Sequence, residues 1–120
     1  MGEHKVWVDE DGFIRATIIG SHEKESAKNI INELNKQLKK MGENGLVLID
    51  MTKTGRPTYE ARKLHANNIK LHSDLFKKAA LYGASALNKV MANFIIKASG
   101  KGKKVKYFNT KDEAIKWLKQ

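Results

Sequence analysis

Gly83-Ala84-Ser85 lies between the apolar run ending at Tyr82 and a periodic apolar stretch that starts at Leu87. A serine on such a turn has three available roles: nucleophile, part of an anion cradle, or helix cap. A nucleophile elbow requires Gly-x-Ser-x-Gly, because small residues on both sides permit the strained turn. Here only the first glycine is present, and Leu87 occupies the place of the second. The chain's histidines, His4, His22, His65 and His72, all precede Ser85. The Ser…Asp…His order of the elbow enzymes is therefore not met, although a triad is defined by geometry and folding can bring His22 or His65 near. No catalytic set is expected, and the chain reads as a non-enzyme.

An anion cradle needs free backbone N–H groups at a helix N-terminus and a glycine that lets the backbone approach the ligand. Gly83 and Ser85 supply that turn, and Asn88 and Lys89 in the first helical turn add side-chain donors. The loop from Thr52 to Thr58 follows another apolar run. It offers Thr52, Thr54, Arg56 and Thr58, with Tyr59 next. Parallel α/β sheets place ligands at the carboxyl ends of their strands, so these two turns are expected to border one site. Neither is a P-loop, since Gly-x-x-x-x-Gly-Lys-Ser/Thr occurs nowhere, and no Gly-x-Gly-x-x-Gly follows a strand. The plainest role for Ser85, and for Thr58, is helix capping. No cofactor or metal is expected. His65 and His72 lie two helical turns apart, roughly 10.5 Å along the axis, too far to share a metal. With Asn68 they form a polar helix stripe, expected as an exposed or half-buried face or as a protein contact surface.

Charge is distributed unevenly. Residues 1–60 carry 9 Lys and Arg against 10 Asp and Glu, whereas residues 61–120 carry 14 against 3, for a formal net charge of +10 overall. A half this basic attracts nucleic acid, an anionic membrane surface or an acidic protein. Most of the basic residues are lysine, a point charge without the planar fork that reads guanine or grips phosphate in two places. Non-specific nucleic-acid binding is therefore the alternative function, with Lys101, Lys103, Lys104 and Lys106 as its contacts. Tyr107 and Phe108 would be available for stacking only if exposed.

These side chains must be positioned by a modest set of elements. The chain's 120 residues suffice for one domain spanning residues 1–120. There is no cysteine, no apolar run of bilayer length and no apolar leader segment, so a cytoplasmic protein is expected. Val6–Val8 and Phe13–Ile19 read as a hairpin about the Asp9-Glu10-Asp11-Gly12 turn. Ala27, Ile30, Ile31, Leu34, Leu38 and Met41 recur with helical period, and Gly42 and Gly45 end that helix. Leu46-Val47-Leu48-Ile49 suits a central strand covered on both faces. A loop from Thr52 to Pro57 leads to a helix over about Thr58–His72. A strand at Ala79–Tyr82 follows, and then a helix with Leu87, Val90, Met91, Phe94, Ile95 and Ala98 as its core stripe. Gly100–Lys104 is a loop and Val105–Phe108 the last strand. Thr110 and Glu113 have capping-box spacing before a final helix that buries Ala114, Ile115 and Leu118 beside Trp117. Strands alternating with helices predict a mixed, mostly parallel five-stranded sheet with four helices, ordered β-β-α-β-α-β-α-β-α.

The stretch from Asp74 to Leu118 resembles the small STAS-like proteins of SpoIIAA-like fold, grouped with STAS/SEC14-type domains. The likeness rests on the Leu81-Tyr82-Gly83 turn, Asn88, Ala92-Asn93-Phe94, Lys97-Ala98-Ser99-Gly100, Phe108-Asn109-Thr110, Glu113-Ala114 and Trp117-Leu118. The resemblance implies a binding or regulatory module without catalysis, one that recognises a protein partner or a small anionic or lipid-like ligand. A monomer or weak dimer is the expected state. The anti-sigma-factor antagonists of that family carry Asp-Leu-Ser and then Asp-Ser-Ser-Gly, in which the first serine of the second motif is phosphorylated. Asp50-Met51-Thr52 is similar to the first part. At the second stand Thr58-Tyr59-Glu60-Ala61, with Tyr59 in the acceptor position and no glycine, so the phosphoswitch is not retained in that form.

Overall fold

The computed structural model describes residues 3–42 and 44–120. Its strands and helices alternate as β1 (Glu3–Val8), β2 (Ile14–His22), α1 (Lys24–Met41), β3 (Leu46–Asp50), β4 (Thr54–Pro57), α2 (Tyr59–His72), β5 (Lys78–Tyr82), α3 (Ala86–Ser99), β6 (Val105–Phe108) and α4 (Lys111–Leu118). A single 3₁₀ turn, Ser73–Leu75, closes α2. The sheet runs β1-β2-β3-β5-β6. β1 pairs antiparallel with β2, and the β2–β3, β3–β5 and β5–β6 pairs are parallel. This is the mixed α/β architecture predicted from the alternation of elements.

Strand periodicity divides the core in two. Ile14, Ala16 and Ile18 of β2, Val47 of β3, Ala79 of β5 and Val105 of β6 meet Ile30, Leu34 and Leu38 of α1 and Ile96 of α3. On the opposite face Leu48, Ala80 and Tyr82 meet Ala114 and Leu118 of α4. Adjacent residues of β3 and β5 thus enter different cores, which is why Leu46–Ile49 is apolar without interruption. The predicted capping box is present: Thr110 Oγ1 accepts from Glu113 N, while Thr110 N donates to Glu113.

A sixth strand lies in what reads from sequence as a loop. β4 pairs with the far end of β2, Gly20 opposite Thr54 and His22 opposite Pro57. Its residues, Thr-Gly-Arg-Pro, contain the two types most depleted in strands. The glycine has a packing reason, because a Cβ on Gly55 would stand 2.8 Å from the Gly20 carbonyl oxygen. The same pairing draws β2 on to His22, three residues past the expected end. β1 likewise starts at Glu3 rather than Val6, since its polar residues still pair with β2 across to Ile19.

The buried face of α3 differs from the expected one. Asn88, Ala92, Ile96 and Ser99 are the buried residues. Leu87, Val90 and Phe94 are exposed, Val90 and Phe94 by about two thirds. The helix is rotated because the Asn88 side chain is drawn inward by two carbonyl groups of β4. Apolar periodicity alone does not register such an anchor. Phe94→Ser is therefore expected to change the unfolding free energy by no more than about 0.5 kcal/mol, as for an ordinary surface site. Urea denaturation checks this, and a loss above about 2 kcal/mol would return Phe94 to the core.

Candidate ligand cavity

Between the sheet and helices α1, α2 and α3 lies a cavity of about 100 Å³. Its walls are mostly aliphatic, with Ile18, Leu34, Val47, Ile69 and Ile96 among them. The space has a cause in the sequence of α2. Only Ala61 of that helix is fully buried. Beside Ile69, its cavity-lining positions carry His65 and Asn68, where a tightly packed helix would carry large apolar residues. Ala79 and Ala92 line the same space with small side chains. Dry apolar cavities of roughly 150 Å³ take up a benzene-sized molecule, and this cavity has about two thirds of that volume, room for a small ligand.

One part of the lining is polar. His22 continues the inward-facing series of Ile14, Ala16 and Ile18 along β2 and is 3% exposed. Its Nε2 lies 2.6 Å from Nε2 of His65, with the ring centroids 4.9 Å apart. One imidazole donates to the other, so the two rings hold complementary tautomers. Burial pushes both well below the ordinary histidine value, to about 4 for His22 and about 3 for His65. Repulsion from His4 adds to the effect on His22, and repulsion from His22 adds to that on His65. Both are thus neutral at pH 7. His22 Nδ1 is buried without a partner. Nearby in the lining, Asn35 Nδ2 donates to Asn68 Oδ1 at 3.0 Å. The polar stripe of α2 therefore splits. His65 and Asn68 are half-buried and line the cavity, whereas His72 is exposed.

The two turns singled out from sequence do lie side by side at the carboxyl ends of β3 and β5, where Met51 N donates to Tyr82 O. Gly83 has φ +82° and packs so closely that a Cβ there would stand 2.4 Å from Thr52 Cγ2. Many of their polar groups are engaged within the fold. Ser85 Oγ accepts from Asn88 N and Thr58 Oγ1 from Ala61 N, both as caps. Thr54 Oγ1 donates to Ile18 O, and Thr52 Oγ1 to Asp50 Oδ1. Asn88 donates its amide to Thr54 O and Gly55 O at 2.9 and 3.0 Å. Lys89 Nζ donates to Asn109 Oδ1. Arg56 and Tyr59 are exposed, with the Arg62 guanidinium over the Tyr59 ring. Of this set only Thr54 lines the cavity.

Tyr107 has a role the sequence did not suggest. Ala84 N donates to its hydroxyl at 2.8 Å, tying β6 to the Gly83–Ser85 turn. Tyr107 and Phe108 are half-buried, and Phe108 packs on Trp117. In the basic loop Lys103 and Lys106 are exposed and Lys101 half-buried, whereas Lys104 Nζ donates to Ser73 O and covers the Phe76 ring. No helix among the described residues is long and apolar enough to cross a membrane.

Comparison with known proteins identifies the fold. The family model described as "Domain of unknown function (DUF7793)" matches residues 15–120. None of the curated proteins matches. A solved structure from Shewanella loihica PV-4, an uncharacterized protein of the DUF3478 family with a SpoIIAA-like fold, is similar at a TM-score of 0.70. The two are 18% identical, over 98% of this chain and 93% of the other. The SpoIIAA-like architecture expected from Asp74–Leu118 is thus shown over 98% of this chain.

Proposed function

This chain belongs to the DUF7793 family, and we propose that it is a non-enzymatic binding module whose ligand is a small apolar, lipid-like molecule held in the cavity beneath α2. The observation that carries this reading is the cavity itself: about 100 Å³ of mostly aliphatic space under a helix that buries little of its own surface. An interior normally packs at crystal density, so unfilled apolar space forfeits stabilising contacts that a bound apolar molecule would restore. The non-enzymatic part rests on hydrogen bonding. Ser85 Oγ is committed to capping α3, and the buried His22 and half-buried His65 are bonded to each other.

Toluene is a suitable first probe. Titrated into the protein, it is expected to shift the methyl NMR signals of Ile69, Ile96 and Val105 saturably. Ala79→Ile fills the cavity from β5. It is expected to abolish those shifts and to raise the unfolding free energy by about 1 kcal/mol, as cavity-filling changes commonly do. Shifts confined to the protein surface, or toluene binding undiminished in the filled variant, would overturn the reading.

A further inference from the structure

We infer that the cavity selects a neutral ligand, an apolar body bearing one uncharged hydroxyl-type end that bonds to the His22–His65 pair. This rests on the cavity being the ligand site. The lining residues include no lysine, arginine, aspartate or glutamate among those described, and the polar members are His22, His65, Asn35, Asn68 and Thr54. Thr54 Oγ1 is committed to Ile18 O, and the two asparagines bond to each other. Among the described lining residues, the fully buried side-chain atom without a partner is His22 Nδ1, in a ring 3% exposed that lines the cavity.

Charge balance excludes the ionic alternatives. A carboxylate or ammonium placed here loses its hydration with no counter-ion in the lining, which costs far more than burying a hydroxyl. Arg62, one turn before His65 on α2, buries its Nε without a partner but does not line the cavity. Nor does the pair supply a positive charge, since both rings are neutral at pH 7.

The tautomers then specify the polar end. If His65 Nε2 carries the shared proton, His22 accepts at Nε2 and offers Nδ1–H as a donor. In the converse arrangement His22 Nδ1 is a bare acceptor. A hydroxyl both donates and accepts, so it satisfies Nδ1 in either state, whereas a carbonyl satisfies one. An unsatisfied buried group carries a desolvation penalty that a hydroxyl ligand removes and a hydrocarbon does not. The body attached to that hydroxyl is about the size of one small aromatic ring at most, given the volume.

A series of similar size and different head group tests this at pH 7.5: p-cresol, toluene, benzoate and benzylamine, each titrated by methyl NMR and calorimetry. p-Cresol is expected to bind at least tenfold more tightly than toluene, with benzoate and benzylamine binding more weakly than toluene. In His22→Leu, which removes Nδ1, the advantage of p-cresol over toluene is expected to fall to less than threefold, with toluene binding retained. His22→Phe is the second variant should the first not fold. Equal affinity for p-cresol and toluene would overturn the inference while leaving the cavity reading in place. Benzoate as the tightest ligand would overturn it in favour of an anion site. Failure of all four to bind in the cavity would overturn both.

Discussion

Asn88→Ala is expected to lower the unfolding free energy by about 2–4 kcal/mol, as much as truncating a buried aliphatic core residue such as Ile96. The side chain is 3% exposed and bonds to two successive carbonyls, Thr54 O and Gly55 O. Truncation removes two hydrogen bonds worth about 1 kcal/mol each and strands two carbonyls in a part-buried setting. The consequence is also positional. β4 hangs on the sheet by its pairing with β2 and by this amide, and it delivers the chain to the N-terminus of α2 at Thr58. Loosening β4 therefore loosens the helix that roofs the cavity. Urea denaturation measures the loss, and hydrogen exchange locates it. Amide protection is expected to fall first in β4 and the first turn of α2. Asn88→Asp serves as the comparison, since it keeps the shape but replaces both donors with acceptors, and it should be at least as damaging. A loss below about 1 kcal/mol would mean that the amide does not anchor α3.

The sheet was legible in the sequence because its signals are local. Leu46–Ile49 is apolar at every position, Ala79–Tyr82 is bounded by turn residues, and Thr110 and Glu113 stand at capping spacing; each needs only its neighbours to form. The elements that define the cavity are legible only in part, because they depend on distant partners. β4 is a strand only where β2 overruns β3, so Thr-Gly-Arg-Pro shows no strand pattern of its own. The face of α3 follows Asn88 rather than the larger apolar residues, since two carbonyls on β4 outweigh the burial of Leu87 or Phe94. His65 and Asn68 form a polar stripe whose spacing does not reveal its partners, because each finds its partner far away in sequence, at His22 and Asn35. One signal for the histidine was present. Counted in steps of two from Ile14, His22 falls on the buried face of β2, and a buried histidine requires a partner.

That partner makes the second large effect a pH dependence. Stability is expected to fall as pH drops from 7 to 5, by about 2 kcal/mol for each histidine of the pair and at most about 4 together. The sign follows from the direction of the shifts. In the unfolded chain a histidine takes up a proton near pH 6.5, whereas burial holds His22 near 4 and His65 near 3 in the fold. Between those values the unfolded state binds more protons, so acid favours unfolding. Above pH 7 both states are neutral and the effect vanishes. Below about 4 the carboxylates titrate as well and obscure it. The groups around the pair do not oppose this. His4 on β1 repels His22, and its neighbour Glu33 on α1, 3.7 Å from His4, has an exposed side chain. Arg62 on α2 is itself a cation. The His22→Leu/His65→Leu double variant isolates the contribution, because replacing both partners of a buried polar pair with apolar groups of similar shape is close to neutral or stabilising at pH 7. Urea denaturation at half-unit intervals from pH 7.5 to 5 should show a steep loss in the native protein and a flatter one in the variant. Parallel curves would mean that the pair titrates in the fold as it does in water, and that the 2.6 Å contact does not persist in solution.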